Sequence, residues 1–199
     1  MIDYIKGTVT ELTPTSVVIE TGGIGYFINI SLTTYSTLRN NETAQLFVYE
    51  AIREDAFLLF GFMNRSERQL FLLLISVPGI GANTARVIMS SYSAAEIQQM
   101  IAGGDVVALN SIKGIGTKTA QRIILDLKEK ILKIANSDDL KLTGTHYASA
   151  SNPVREETVA ALTMLGFAAA PSQKVVDKII QENASLTVEQ VIKQALKML

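Results

Sequence analysis

Val77-Pro78-Gly79-Ile80-Gly81-Ala82-Asn83-Thr84-Ala85 returns 35 residues later as Ile112-Lys113-Gly114-Ile115-Gly116-Thr117-Lys118-Thr119-Ala120. Each copy reads as the apolar end of one helix, a Gly-Ile-Gly turn, and a second helix that opens with alanine at a close-packing position. Glycine lets backbone approach a phosphate without a Cβ in the way, and the N–H groups opening the next helix carry its positive dipole end. Ile80 and Ile115 are expected to plug the turns into the core. Such contacts hold a sugar-phosphate backbone and read no base, so sequence-independent binding follows. One copy alone would read as a glycine-capped helix turn; two matching copies favour a phosphate site. A nucleotide-binding loop fails on spacing, because Thr117 separates Gly116 from Lys118. A dinucleotide fingerprint lacks its third glycine after Gly114 and Gly116.

The repeat resembles the helix-hairpin-helix motif in tandem. Its candidate DNA-binding residues are Gly79, Gly81, Asn83 and Thr84 in the first copy. In the second they are Gly114, Gly116, Thr117, Lys118, Thr119 and Arg122. Helical periodicity surrounds the repeat from Asn64 to Ile134. Ser93-Ala94-Ala95-Glu96 has the form of a capping box, and Gly103-Gly104 supplies a stop. The run Thr117 to Ile134 offers Ile123, Ile124, Leu127, Ile131 and Leu132 for burial.

Upstream, the period is two. Strands are expected around Ile5 to Val9, at Ser16 to Glu20, through Tyr26, Ile28 and Ile30, at Ala44 to Ile52, and at Ala56 to Phe62. Leu46, Val48 and Ile52 fall on one face of the fourth. Five short strands in residues 1–63 suit a small closed barrel such as the OB-fold. Downstream, residues 135–152 are small and polar and read as a flexible linker. His146 lies there and is assigned no role. Asn152-Pro153 reads as a helix start, Gly166 as its end, Pro171 as the opening of a second helix and Thr187-x-x-Gln190 as the cap of a third. Residues 153–199 are therefore expected to form a three-helix bundle. The fold class expected is multidomain α+β, with barrel 1–63, hairpin domain 64–134, linker 135–152 and bundle 153–199.

The 199 residues carry 18 Lys and Arg against 19 Asp and Glu, a net charge of −1. That balance argues at first against a nucleic-acid partner. By segment, residues 1–63 carry 3 basic and 7 acidic side chains, 64–134 carry 9 and 5, and 135–199 carry 6 and 7. The hairpin segment alone is positive. With no cysteine and one histidine, a thiolate or multi-histidine metal site is excluded. No metal, cofactor or catalytic residue is expected. The chain does not start like a secreted one, and its apolar runs are far short of the ~20 residues of a membrane helix. A soluble, cytoplasmic protein without membrane contact is the expectation.

Taken in order, these segments resemble the bacterial RuvA family. The resemblance covers nearly the full length. It includes Gly22-Gly23-Ile24-Gly25-Tyr26, Arg53-Glu54-Asp55-Ala56 followed by Leu59-Phe60-Gly61-Phe62, both hairpins, Ala160-Ala161-Leu162, and Leu165-Gly166-Phe167. It implies structure-specific, sequence-independent binding of four-way Holliday junctions by a homotetramer, which can stack into an octamer. It also implies a UBA-like tail that binds the hexameric RuvB ATPase for branch migration, and RuvC resolvase in a larger complex. The setting implied is recombination, DNA repair and the SOS response to DNA damage.

By the same resemblance Glu54 and Asp55 form an acidic pin near the crossover; from the sequence alone a solvated turn is the preferred reading. Around a fourfold axis such carboxylates would repel phosphates by about 0.7 kcal/mol per charge pair at ~6 Å in water-like dielectric. Leu162, Leu165, Phe167, Val191, Ala195 and Leu196 are the candidates for the RuvB-binding surface, with the bundle's own core as the competing assignment. In the family a basic residue is common where this chain has Asn83, so the second hairpin, with Lys118 and Arg122, is expected to hold DNA more tightly. Few basic residues, such as Lys6 and Arg53, are available to the barrel. The absence of a Walker motif places ATP hydrolysis in a partner. The alternatives weighed are a helix-hairpin-helix glycosylase or nuclease, and a DNA-binding adaptor without junction preference. The former needs a catalytic Asp or Lys beside a base pocket, or a carboxylate-metal cluster, and Asp126 has no obvious partner.

Overall fold

A computed structural model describes residues 1–142, 153–183 and 186–198. Five strands, β1 (Tyr4–Thr13), β2 (Ser16–Thr21), β3 (Ile24–Asn29), β4 (Thr43–Ile52) and β5 (Phe57–Phe62), close a barrel in the order β1-β2-β3-β5-β4. All neighbours are antiparallel except β3 and β5, which run parallel through Ile28↔Leu59 and Asn29↔Phe60. The two-residue period delivers Ile5, Val17, Ile19, Ile28, Leu46, Val48 and Leu59 to one buried interior. Closure leaves this small sheet without a free edge.

Two details of the barrel depart from the sequence reading. Ile52 shares its parity with Leu46 and Val48 but is 70% exposed. The β4–β5 ladder continues to Ile52↔Phe57, beyond the body of the barrel, where there is no interior left to face. A short helix, α1 (Leu32–Leu38), also stands between β3 and β4, capped by Ser31 and burying Leu38. Its residues Thr33, Thr34, Tyr35, Ser36 and Thr37 are poor helix formers, so propensity hides it. Docking supplies what propensity lacks: Thr33 Oγ1 donates to the Met89 carbonyl at 3.0 Å.

Five helices follow: α2 (Arg65–Ile75), α3 (Ala82–Ser91), α4 (Ala94–Gly103), α5 (Val106–Asn110) and α6 (Thr117–Leu142). The capping box at Ser93 and Glu96 is formed, and Gly104 closes α4 in the left-handed conformation. Of the residues of α6 offered for burial, Ile123, Leu127 and Ile131 are buried, whereas Leu132 is 43% exposed. Phe60 and Phe62 of β5 pack their rings on Phe71 of α2 at 5.5 and 4.9 Å between centroids. The hairpin core thus takes in Phe60 and Phe62 of β5 beside the barrel's own interior, and Met1–Thr143 is one compact unit. α6 reaches Leu142, well past Ile134, because no glycine or proline interrupts the chain before Gly144. The remainder of the expected linker, 143–152, lies outside the described residues, and so do His146 and the Asn152 cap.

The second unit contains α7 (Pro153–Met164), α8 (Ala169–Glu182) and α9 (Val188–Ala195) around Leu162, Val176, Ile179, Val191 and Ala195. After α7, Gly166 takes φ +98° and the Phe167 N–H returns to the Leu162 carbonyl at 3.1 Å. Thr187 and Gln190 form the expected capping box of α9. α8 begins at Ala169, two residues before Pro171, which sits in the first turn where its missing N–H costs no helical bond. Arg155 pairs with Asp177 to tie α7 to α8, one of the two contacts being 3.0 Å.

Candidate nucleic-acid interface

The two hairpins share the same backbone bonds at their turns. The Ile80 N–H donates to the Val77 carbonyl and that of Ile115 to Ile112, both at 3.0 Å. The Ala85 N–H donates to the Gly81 carbonyl and that of Ala120 to Gly116, both at 2.9 Å. Gly79 and Gly114 hold φ +93° and +91°, a region that L side chains rarely adopt. Ile80 and Ile115 are buried as plugs. Ser76 and Ser111, one position before the quoted repeat, each donate Oγ–H to the carbonyl three residues back at 2.7 Å. The sequence reading missed these serines, although the same 35-residue offset aligns them.

Gly81 needs a different explanation. Its φ of −89° and ψ of 170° are open to any residue, and a Cβ there would meet nothing within 4 Å. Gly116 is likewise clear. No neighbouring atom among the described residues demands glycine at these two positions, and the space beside them is open. Gly81 caps α3 with no side-chain hydrogen bond, so the opening N–H groups of α3 receive no side-chain cap from it.

Around the turns, Asn83, Lys118 and Arg122 are exposed, and Thr84 and Thr119 are half-buried. Thr117 Oγ1 donates to Asn110 Oδ1 at 3.3 Å, which ties the second turn to α5. Lys118, Thr119, Gln121, Arg122 and Pro78 line one cleft, so the two hairpins meet there. Arg122 Nη1 donates to the Pro78 carbonyl at 3.4 Å. A second cleft brings Arg53 of the β4–β5 hairpin beside Gly81 and Ala82. Lys6 is exposed on β1, opposite Gln45 of β4. Arg86, in α3, turns to the barrel instead: its Nη1 donates to the Thr15 carbonyl at 3.1 Å and to Asn29 Oδ1 at 3.3 Å. A long side chain in the motif's own helix is therefore spent on architecture, which spacing does not disclose.

Glu54 and Asp55 are exposed in the tip between β4 and β5, where the Arg53 N–H donates to the Ala56 carbonyl at 2.8 Å. In the tail, Leu162, Val191 and Ala195 have no exposed surface and belong to the bundle core, so they cannot present an apolar face to a partner. Phe167 is half-buried against that core. Leu165 and Leu196 are 61% and 45% exposed. Among the described residues, no group of three His, Asp or Glu could hold a metal ion, and no helix is long and apolar enough to cross a membrane.

Comparison with known proteins matches the segments in the same order. Residues 1–61 match the RuvA N terminal domain, 71–129 the SAM-like helix-hairpin-helix tandem, and 153–199 the RuvA C-terminal domain. Proteins described as Holliday junction branch migration complex subunit RuvA are similar over the full length. Those of Parabacteroides distasonis and Bacteroides thetaiotaomicron are 54% and 52% identical, with 100% of each chain covered. That of Flavobacterium psychrophilum is 47% identical over 99% of both.

Proposed function

Since the chain belongs to the RuvA family, we propose that it is the junction-binding subunit of a branch-migration complex, binding four-way DNA without regard to sequence. The observation that carries this reading is the pair of matched hairpins whose outer glycines leave room for an external backbone. Gly79, Gly81, Asn83 and Thr84 take one phosphate site; Gly114, Gly116, Thr117, Lys118 and Thr119 take the other, and Arg122 binds DNA from the cleft between the two turns. Backbone N–H groups and the helix dipole provide the hydrogen bonds, and the cations provide counterion release. Phosphate contacts orient the arm and carry no base information.

Residues 1–63 present Glu54 and Asp55 as an acidic pin, and residues 64–134 hold the arms. Four copies around the crossover would set attraction on the arms and repulsion at the centre. The segment that follows α6 joins this unit to the tail, 153–199, which engages the RuvB ATPase through Leu165, Leu196 and the exposed part of Phe167. The chain itself binds and positions; ATP hydrolysis belongs to RuvB. A RuvC resolvase on the same junction, a cytoplasmic location and a part in DNA repair complete the reading.

The test is a titration of the full chain against a synthetic four-way junction and a linear duplex of the same arm sequence at matched salt. Much tighter binding of the junction, with a solution mass of four or eight chains, is expected. Equal affinities would overturn the junction reading.

A further inference from the structure

The second hairpin carries cations at Lys113 in the turn, Lys118 at the start of α6 and Arg122 one turn further on. At the same offset the first hairpin has Pro78, Asn83 and Val87, none of them charged. Arg86, the one cation of α3, is half-buried with its Nη1 drawn to Thr15 and Asn29 of the barrel, whereas Arg122 is exposed. The first turn nonetheless keeps the same backbone bonds and the same open glycine as the second. A phosphate cradle without a cation gains no counterion release, which is the main source of affinity for DNA backbone.

A cation does reach this turn, from the other hairpin. Arg122 leaves α6 and donates Nη1–H to the Pro78 carbonyl, in the cleft that the hairpins share. One carbonyl occupies one of the five N–H donors of a guanidinium, and the rest stay available to an anion. We propose that Arg122 supplies the positive charge for the phosphodiester held by the first hairpin, so that Asn83 is tolerated and the two hairpins grip an arm as one unit. The proposal rests on the DNA-binding reading above and adds to it which cation serves which site.

A double-mutant cycle in the full chain tests it, using Arg122→Gln, Asn83→Lys and the double variant. Binding to a four-way junction and to a linear duplex is titrated across salt concentrations. Arg122 is exposed, and melting temperatures report whether each variant folds. Arg122→Gln should weaken binding about tenfold and reduce the salt slope by about one. Asn83→Lys should tighten the unsubstituted chain only about twofold, yet recover about tenfold in the Arg122→Gln background, because one phosphate needs one cation. Equal gains in both backgrounds would overturn the proposal, since Arg122 would then serve the second hairpin alone. Recovery in an Arg53→Gln background instead would also overturn it, and assign the role to the barrel arginine beside Gly81. A chain that binds duplex without preferring the junction refutes the junction reading and leaves this cycle readable on duplex.

Discussion

Arg68 and Asp3 lock the first helix of the hairpin domain to the barrel. Arg68 Nη1 lies 2.7 Å from Asp3 Oδ1 and donates to the carbonyls of Asp3 and Val48 at 2.9 and 3.3 Å. Arg65 Nη2 takes the second carboxylate oxygen of Asp3 at 2.9 Å. Both guanidinium groups lie over the Phe47 ring, 5.0 and 5.7 Å from its centre. Because α2 runs directly into the first turn, this clamp helps set the angle between the pin-bearing β-hairpin and the phosphate-binding turns.

The clamp should depend on pH. The hydrogen bond from Arg68 is the largest cause that holds the Asp3 carboxyl below its ordinary value of 3.8; loss of hydration opposes it, and the charges of Arg68 and then Arg65 add smaller lowering effects. A carboxyl depressed in the folded state contributes stability that is present above its unfolded value and fades as pH falls through the folded one. Asp3→Asn should therefore lower the melting temperature at pH 7. That deficit should shrink in acid well below 3.8, as the pH falls through the lowered folded value and the unsubstituted carboxyl also loses its charge. An equal deficit at both pH values would show that the carboxylate charge is not what matters.

The turn glycines should separate folding from binding. Gly79→Ala forces a side chain into the left-handed region and should cost about 1–2 kcal/mol of fold stability. Gly81→Ala has free space and an ordinary backbone conformation, so only the weaker cap is lost, about 0.5 kcal/mol. Its added methyl nevertheless occupies the place proposed for the phosphate. Junction affinity should fall about tenfold or more, equivalent to ~1.4 kcal/mol. Denaturant melts read beside binding titrations check the pair of variants.

Neutralising the pin should relax selectivity. The double variant Glu54→Gln, Asp55→Asn removes exposed charge from a solvated tip, so stability should stay within about 0.5 kcal/mol. Linear duplex should bind more tightly than to the unsubstituted chain, and the ratio of junction to duplex affinity should fall. A ratio that does not change would remove the pin from the mechanism.

Tail variants should divide the same way. Leu162→Ala empties a fully buried position and should destabilise the bundle by about 2–5 kcal/mol. Leu165→Ser changes an exposed side chain and should leave the bundle folded while weakening capture of purified RuvB. Hydrogen exchange of the tail amides in the full chain gives the first result, and a pull-down at fixed RuvB concentration the second.

What the sequence determined by itself is local chemistry repeated in order. The change of period from two to helical near Asn64, both Gly-Ile-Gly turns, and the boxes at Ser93 and Thr187 are set by bonds spanning a few residues. Such bonds are legible because donor, acceptor and permissive φ lie within one short window. The helix α1 was not, because its stability comes from a dock on α3, more than fifty residues away in sequence. Nor could periodicity tell that Ile52 runs past the end of the barrel, or that Leu162, Val191 and Ala195 are interior whereas Leu165 and Leu196 are exposed.

Charge shows the division most clearly. Counting by segment located the positive hairpin domain, yet Arg86 and Arg122 look equivalent in a sequence. Tertiary contacts turn Arg86 to the barrel and carry Arg122 across to Pro78. A long, flexible side chain goes to whichever acceptor the fold brings within reach. That acceptor is chosen by packing between distant segments, which no local window contains.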